Sequence, residues 1–453
     1  MESLTGLCRA NLITRPMDEI EAVGGIENWK AGLDREKEWN NLTSISFEEL
    51  EKTVHKWLLV EDPGIVKLIC SVVIANRLNS NASWLFLVAP SGGGKTEFIK
   101  GLNKIEYIYP LSNLTPQTFM SGMRGKDASL LPQITNKILT FKDFTTILQS
   151  HPQAQAEILA QLREIYDGYF KKDFGTGARR EWRGKIGFIA GVTSIIDQYH
   201  NVHKSLGERF LQYRLAQPDR MEVMERIEEN TMRKDQMDDE IATAFARFVK
   251  GIEIPEEMPE IPADIKAKLR RVADFASAAR SAVIRNPFSK EIEFVPDMEM
   301  TTRIYSQVYL MAIALMVVNK NHTLEEGDYK ILFKLGFDSI HYLRRKVLEL
   351  LREYKGWAKT ETIAVKAGYS TPTINKYLED LTVLGIAERM KPRNNLNIWR
   401  LNPKYRTLWK ESEWVVSEAA DGRLTDTVAD EESVRGPGDE EESLLAEFQD
   451  YEN

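Results

Sequence analysis

Residues 84–98 read WLFLVAPSGGGKTEF, and they give the strongest indication of the fold class. A short apolar run, residues 84–88, is followed by a loop that contains three consecutive glycines, and then at once by Lys95 and Thr96. The apolar run predicts a buried β-strand, and the residues from Thr96 to Leu102 predict a helix. A loop with so little side chain lets another group approach the backbone closely.

The loop has the composition of a phosphate-binding loop. It follows the spacing G-x-x-x-x-G-K-[ST], with Ala89 in the first glycine position. Its backbone N–H groups and the helix N-terminus favour an anion, Lys95 can reach the β- and γ-phosphates, and the Thr96 hydroxyl can hold Mg²⁺. A flexible turn that binds nothing is the alternative. We expect ATP and Mg²⁺ as ligands, and the predicted nucleotide contacts are Pro90, Ser91, Gly92, Gly93, Gly94, Lys95 and Thr96.

Length and composition indicate a multidomain protein. A chain of 453 residues suggests about two to four domains. With 43% hydrophobic and 28% charged residues the composition is that of globular proteins, and no apolar run approaches the roughly 18 residues of a membrane span. Two cysteines, Cys8 and Cys70, and six scattered histidines form neither a disulfide framework nor a metal cluster. No secretory signal is visible, so we expect a cytoplasmic protein without a membrane partner.

The net charge of −8 is unevenly distributed. Residues 417–453 hold 13 acidic and two basic residues, which leaves 58 basic and 55 acidic residues in the rest of the chain. A tail of this composition is expected to be disordered. It is a solubilising appendage, a mimic of nucleic acid, or a docking segment for a protein partner around Leu444, Leu445 and Phe448.

The pattern of elements predicts an α/β domain followed by helical segments. The stretches KILTF (137–141) and KIGFIAGVT (185–193) are further strand candidates, and helical stretches separate them, which implies a largely parallel sheet with helices on both faces. The predicted domains are an N-terminal arm (1–44), an α/β domain (45–220), an all-α lid (221–351), a C-terminal unit (352–410) and the acidic tail (411–453).

Hydrolysis of a nucleotide also needs a carboxylate for Mg²⁺ and groups that sense the γ-phosphate. The strand at 137–141 is followed by Asp143, which we expect to bind the metal, and the strand at 185–193 ends in Thr193 and Ser194. LGERFLQYR then supplies Arg209. A turn residue and a surface arginine are the alternatives for Asp143 and Arg209.

This order and spacing resemble the AAA+ ATPases. The resemblance implies Walker A at 89–96, Walker B at 138–143, sensor 1 near Thr193 or Ser194, and Arg209 as an arginine finger that reaches a neighbouring subunit's nucleotide. A finger of this kind implies a homo-oligomeric ring, commonly a hexamer. The family pattern ends Walker B in Asp-Glu, whereas here Lys142, Asp143 and Phe144 follow the strand. Either Asp143 is the metal-side carboxylate, with Glu97 or Glu164 as the water-activating acid, or Asp143 is itself the catalytic acid.

Residues 169–185 predict a β-hairpin around a Gly-Thr-Gly turn. Aromatic residues Phe170, Phe174 and Trp182 are interleaved with basic ones, a mixture that suits single-stranded DNA. The hairpin's place in the sequence resembles the pre-sensor-1 hairpin of minichromosome-maintenance-like helicases, which lines the pore of a ring. A solvated hairpin is the alternative. The predicted DNA contacts here are Lys171, Lys172, Arg179, Arg180, Arg183 and Lys185.

Two further resemblances lie in the second half of the chain. The helices of 300–352 are similar to lid helices that carry a sensor 2 arginine, for which Arg303 is the best match and Arg280 and Arg285 are competitors. Residues 352–402 resemble the winged helix-turn-helix of replication ATPases and many regulators, with helices at 360–367 and 371–384 and a wing around residues 393–395. The predicted DNA contacts of this unit are Thr371, Thr373, Asn375, Lys376, Arg389, Lys391 and Arg393. A role in protein interaction is the alternative.

Together these features are typical of a ring-forming AAA+ DNA helicase or translocase of the kind that phages and other mobile elements encode for replication. A helicase loader or initiator that uses ATP as a switch, and a DNA-binding ATPase regulator, are the alternatives.

Overall fold

The computed structural model describes residues 36–121, 129–175, 177, 179–198, 209–286, 288–295, 300–354, 356–391 and 396–412. Most of the predicted N-terminal arm, the acidic tail from residue 413 with its docking segment, and Arg393 lie outside these residues. The chain forms two compact units. The first contains residues up to 261 together with 309–331, and the second contains 262–308 and the residues from 332 onward. The predicted lid region, 221–351, is therefore divided between the two units.

A five-stranded parallel sheet organises the first unit. Its strands are β1 (Trp84–Val88), β2 (Ile108–Leu111), β3 (Ile138–Phe141), β6 (Gly187–Val192) and β7 (Phe210–Arg214). The order across the sheet is β2-β3-β6-β1-β7, so β1 lies between β6 and β7. Val88 pairs with Val192 on one side and with Arg214 on the other. The carboxyl ends of these three strands therefore lie level with one another.

Both faces of this sheet are covered. Every residue of β1, β3, β6 and β7 is buried. Because successive side chains of a strand point to opposite faces, neither face of the sheet is exposed to solvent along these strands. On one face the rings of Phe86 and Phe210 stack with centroids 3.8 Å apart. The helices of this part of the chain are α1 (Phe47–Trp57), α2 (Ile65–Arg77), α3 (Lys95–Lys100), α4 (Thr145–Leu148) and α5 (Pro152–Tyr166).

The hairpin predicted between α5 and β6 is present. Its strands are β4 (Tyr169–Asp173) and β5 (Arg179–Arg183), which pair antiparallel with Phe170 opposite Trp182. Short 3₁₀ turns lie at Leu131–Gln133 and Ser194–Gln198.

The helical segment after residue 219 is interrupted. The structure has α6 (Arg220–Asn230), a 3₁₀ turn (Thr231–Arg233) and α7 (Lys234–Lys250). Asp219 caps α6 by accepting hydrogen bonds from the backbone N–H groups of Met221 and Glu222. α6 buries none of its residues, so no core contact keeps it in line with α7, which packs on α1 and buries eight of its own.

The second unit is mostly helical, and the prediction of an all-α region is wrong in one place. Its helices include α8 (Ala263–Arg280), and the predicted helical stretch 300–352 forms α9 (Thr302–Val318), α10 (Glu326–Asp338) and α11 (Tyr342–Glu353). The boundaries of the two units fall within α9 and α10. Between α8 and α9 the chain forms two short antiparallel strands, β8 (Ile284–Arg285) and β9 (Ile292–Phe294). Asn286 begins this turn, and its carboxamide oxygen accepts from the N–H groups of Phe288 and Ser289.

The C-terminal part has three helices and a small antiparallel sheet. After α11 come α12 (Thr360–Ala367) and α13 (Thr371–Val383), then α14 (Pro403–Ser412), and the sheet order is β10-β12-β11. Its strands are β10 (Ala358–Lys359), β11 (Ala387–Met390) and β12 (Ile398–Leu401). Gly368 and Gly385 follow α12 and α13 with φ of +70°, as expected for glycines that end helices.

Candidate nucleotide site and candidate DNA-binding surfaces

The glycine loop connects β1 to α3 and leaves open space beside its backbone. Gly92 and Gly94 have φ of +79° and +80°, a conformation that side chains strain. A Cβ built at either glycine would have no heavy atom within 4 Å. The open side of the backbone and the N-terminus of α3 thus form a cradle whose N–H groups favour an anion such as a phosphate group.

Lys95 begins α3 and turns its side chain back into the loop. Its ammonium donates hydrogen bonds to the carbonyl oxygens of Ala89 at 2.8 Å and Pro90 at 2.6 Å. Burial lowers the pKa of Lys95, and the charges of Asp143 and Glu97 oppose that shift. Two neutral carbonyls are weak partners for a buried cation, so an anion in the cradle would stabilise it further.

Asp143 lies just beyond β3, two strands away from β1, and its side chain is exposed. One carboxylate oxygen accepts a hydrogen bond from the backbone N–H of Thr145 at 3.0 Å, which fixes the turn into α4. The carboxylate also acts on the pKa of Lys95. Both a turn role and a metal-binding role are compatible with this position.

Thr145 is a residue of the candidate site that the sequence did not predict. Its hydroxyl accepts from the backbone N–H of Thr193 at 3.1 Å and lies 3.3 Å from the Thr193 hydroxyl. The backbone carbonyl of Gly191 accepts from the N–H of Phe144 at 2.7 Å, and a Cβ at Gly191 would lie 2.5 Å from the Lys142 carbonyl oxygen. These contacts tie the end of β3 to the end of β6. A threonine two residues after the strand-tip aspartate was the available signal.

Gln217 was also missed. A Cβ at Gly93 would lie 2.8 Å from the carboxamide oxygen of Gln217, so this side chain contacts the phosphate loop from the segment after β7. Leu215 holds that segment in place, because its N–H donates to the carbonyl of Val88 at 2.9 Å. No sequence motif marks the position.

The two candidate water-activating acids lie in different places. Glu97 is in the first turn of α3 and is close enough to act on the pKa of Lys95. Glu164 is exposed near the end of α5, where the neighbouring Tyr166 packs on Trp84 at the start of β1. Glu164 therefore lies toward the amino-terminal ends of the strands, away from the glycine loop at their carboxyl ends. Ser194 is exposed and begins the 3₁₀ turn after β6.

Arg209 lies at the amino-terminal end of β7, whereas the glycine loop follows the carboxyl end of β1. Arg209 precedes Phe210, which pairs with Trp84, so about 16 Å of strand separates it from the loop of its own chain. Arg209 is buried and its guanidinium binds Asp167 at 2.7 Å. Arg214, at the other end of β7, forms a buried bidentate pair with Asp197, both contacts being 2.8 Å.

The hairpin does not present its aromatic residues as the sequence suggested. Phe170 and Trp182 are each only 5% exposed and belong to the core of the sheet face, and the Trp182 indole donates to the Thr135 hydroxyl at 2.9 Å. Period-2 alternation directs both rings inward, so they belong to the core and are not exposed for stacking on bases. Phe174 is partly buried against the same core.

The basic residues of the hairpin are largely engaged in contacts within the chain. Arg179 pairs with Asp173 at 2.7 Å, and Arg183 pairs with Glu181 at 3.1 Å. Lys172 pairs with Glu157 at 3.1 Å. Arg180 is half-buried, whereas Lys171 is exposed opposite Glu181. Lys185 is half-buried and donates to the carbonyl of Leu78 at 2.8 Å, and burial lowers its pKa to about 8.

The predicted residues of the second unit fall into two groups. Arg285 is built into the unit, as its guanidinium binds Asp380 at 2.7 Å and Glu379 at 3.1 Å. Arg303, in the first turn of α9, and Arg280, at the end of α8, are half-buried.

Some of the DNA contacts predicted on α13 form hydrogen bonds within the chain. Asn375 donates to Glu379 at 2.8 Å, and the Thr373 hydroxyl lies 2.8 Å from that of Ser370. Thr371 is half-buried. The exposed cations are Lys376 on α13, Arg389 on β11 and Lys391 just after it.

Within the described ranges, no group of three or more His, Cys, Asp or Glu residues forms a ready-made metal cage. Among those same residues, no helix is long and apolar enough to cross a membrane.

No protein-family model matches the sequence, and no curated protein matches it. Among solved structures, the chain is similar to NtrX from Brucella abortus in complex with ATP, with 14% identity, 73% of this chain and 69% of that chain covered, and a TM-score of 0.27. The chain is also similar to the apo C-terminal region of NrS-1, with 14% identity and a TM-score of 0.29. This similarity covers 80% of this chain and 78% of that chain.

A third structure is the Saccharomyces cerevisiae Hsp104–ADP complex, with 15% identity, 86% of this chain and 55% of that chain covered, and a TM-score of 0.23. The chain thus spans about half the length of Hsp104. With TM-scores below 0.5, these likenesses establish neither family nor function for this chain.

Proposed function

We propose that this protein is an AAA+ ATPase that assembles into a ring, commonly a hexamer, and acts on DNA as a helicase or translocase in replication. The observation that carries the ATPase part is the meeting of the glycine loop, Asp143 and Thr193 at one edge of the parallel sheet. Strand order makes this possible, because β6 lies between β1 and β3 and all three strands end at that edge. A cytoplasmic location is part of the proposal.

The residues of the loop supply most of the binding. The backbone N–H groups from Gly92 to Thr96 would hold the β- and γ-phosphates, and the Lys95 ammonium would exchange its two loop carbonyls for phosphate oxygens. Since Lys95 is desolvated, this exchange takes place where electrostatic attraction is strong.

Thr96 and Asp143 are the residues that would hold Mg²⁺. The donor set fits, because Mg²⁺ keeps several waters and is usually held by one or two carboxylates, a hydroxyl and substrate phosphates. When bound, Mg²⁺ would neutralise charge that develops on the phosphates. Thr193, which Thr145 fixes in place, and Ser194 would donate to the γ-phosphate, and Glu97 or Asp143 would orient the attacking water.

Assembly and DNA binding rest on fewer contacts. Arg209 lies too far from the loop of its own chain, so an arginine finger at this position would serve a neighbouring subunit, with Arg303 as sensor 2. Lys171, Arg179 and Arg183 on the outward face of the hairpin would meet single-stranded DNA. A winged helix built from α11–α13 and β10–β12 would meet duplex DNA through Lys376, Arg389 and Lys391.

A second candidate is an ATP-driven switch, such as a helicase loader or initiator. It is favoured by the ion pairs that Arg179 and Arg183 make with neighbouring carboxylates and by the burial of Trp182. Each of these contacts reduces the affinity that we expect the hairpin to have for single-stranded DNA.

Unwinding of a forked DNA substrate separates these candidates. A helicase unwinds the fork with ATP and stalls when Lys95 is replaced by alanine. A switch hydrolyses ATP slowly and leaves the fork paired. A protein that neither binds nor hydrolyses ATP would contradict both.

A further inference from the structure

Two residues at the end of α5, Asp167 and Tyr166, contact Arg209. Its Nη2 lies 2.7 Å and its Nε 3.3 Å from the two carboxylate oxygens of Asp167, and its guanidinium lies 5.5 Å from the ring centroid of Tyr166. Arg209 has a side-chain exposure of 7%, whereas that of Asp167 is 55%. The carboxylate that binds this buried cation is therefore accessible to water.

Asp167 lies at the junction between α5 and the hairpin. It ends α5, and Gly168, with φ of +80°, turns the chain into β4. The N–H of Gly184 donates to the Gly168 carbonyl at 3.1 Å and closes the base of the hairpin. Tyr166 packs edge-on against Trp84, with ring centroids 5.1 Å apart. The Arg209–Asp167 pair thus connects the start of β7 with the base of the hairpin.

We infer that Asp167 is a positioning residue that holds Arg209 inside its own subunit, and that the γ-phosphate of ATP bound to a neighbouring subunit competes with Asp167 for the guanidinium. The inference rests on the proposed ring ATPase. A phosphate carries more charge than a carboxylate and also accepts bidentate bonds from arginine, so the exchange conserves the pairing of a buried cation.

The consequence is a coupling between hairpin and nucleotide. The Nε and Nη2 groups of Arg209 bind Asp167, so a neighbouring phosphate that takes these same donors displaces the carboxylate and frees the base of the hairpin. By reciprocity, a strand that displaces the hairpin base would release Arg209 for the neighbouring nucleotide. One arginine would then link DNA at the hairpin to hydrolysis at the next site.

The experiment compares full-length wild type, Asp167→Asn and a matched control, Glu157→Gln, which removes another ion pair from the same helix. ATP turnover is measured across protein concentration, with and without an oligothymidine strand, and thermal melting checks the fold. For Asp167→Asn we expect basal turnover to rise by up to about 5-fold, the factor that corresponds to one partly exposed ion pair. Stimulation by the strand should fall toward one, while Glu157→Gln behaves as wild type.

A double variant distinguishes a positioning role of Asp167 from a purely structural ion pair. Asp167→Asn combined with Arg209→Ala should have the same low turnover as Arg209→Ala alone, and Asp167→Glu should stay near wild type. Unchanged basal turnover and unchanged stimulation in a folded Asp167→Asn variant would overturn the inference and leave the ATPase proposal intact. Absence of ATP turnover in the wild type would instead overturn the ATPase proposal itself.

Discussion

The hydroxyl of Thr145 accepts a hydrogen bond from the backbone N–H of Thr193 at 3.1 Å. This bond joins the turn that carries Asp143 to the end of β6, where the proposed γ-phosphate sensor lies. Thr145 and Thr193 are 48 positions apart in the sequence. They come together because β3 and β6 are neighbours in the parallel sheet.

Replacing Thr145 by valine should lower ATP turnover by about 10- to 100-fold with little change in KM, because small misplacements of catalytic groups slow the reaction more than they weaken binding. Steady-state kinetics measures the effect. Thr146→Val is the matched control, since the Thr146 hydroxyl is exposed and bonds only to the Asp143 carbonyl. Loss of turnover in the control but not in Thr145→Val would contradict this role.

Trp182 is expected to be a core residue. Trp182→Ala should destabilise the fold by about 3–5 kcal/mol, the usual range for a large buried aromatic residue, as measured by chemical unfolding. Trp182→Phe retains most of the core contacts and should leave single-strand affinity unchanged. A folded Trp182→Phe variant that loses about 1–3 kcal/mol of binding would indicate base stacking instead.

The sequence predicted the sheet, the loop and most helices because each depends on local patterns. The strand at 84–88, the GGGKT loop and the helices after residues 360 and 371 all carry their signals within a few residues. The exposure of the hairpin's aromatic rings could not be predicted in this way, because alternation defines two faces without saying which one meets the core. The contact of Gln217 with Gly93 depends on how the chain leaves β7, and no local signal encodes it.

Lys185 provides a pH test. Its pKa in the folded protein is about 8, below the ordinary value of 10.5, because its ammonium is partly desolvated. Between these two values the unfolded state binds more protons, so the free energy of unfolding should rise as pH increases from about 8 to about 10. Because the side chain is only partly buried, we expect a rise on the order of 1 kcal/mol.

The comparison is with Lys185→Met, which should lack this increment while keeping the aliphatic packing. Chemical unfolding at several pH values measures it. An identical pH dependence in both proteins would show that the amine is solvated, as a free DNA contact would require.

Asp380 is the central anion of the second unit. It is 4% exposed and binds Arg285 at 2.7 Å and Arg344 at 3.2 Å. Asp380→Ala leaves the buried Arg344 without its carboxylate and leaves Arg285 with Glu379 alone, so we expect a loss of about 3–5 kcal/mol in the stability of this unit. Hydrogen exchange over residues 342–401 measures it, and Glu379→Gln, whose carboxylate is more exposed, should change exchange much less. Equal effects of the two substitutions would contradict the central position of Asp380.

Lys95 is central to the proposed nucleotide site, and the decisive measurement is ATP binding and turnover by a folded Lys95→Ala variant. The ammonium is buried and its pKa is lowered, so its removal should leave the melting temperature close to that of the wild type. We expect that this variant neither binds ATP at wild-type affinity nor hydrolyses it. Wild-type turnover in the folded variant would contradict the reading of residues 89–96 as a phosphate-binding loop.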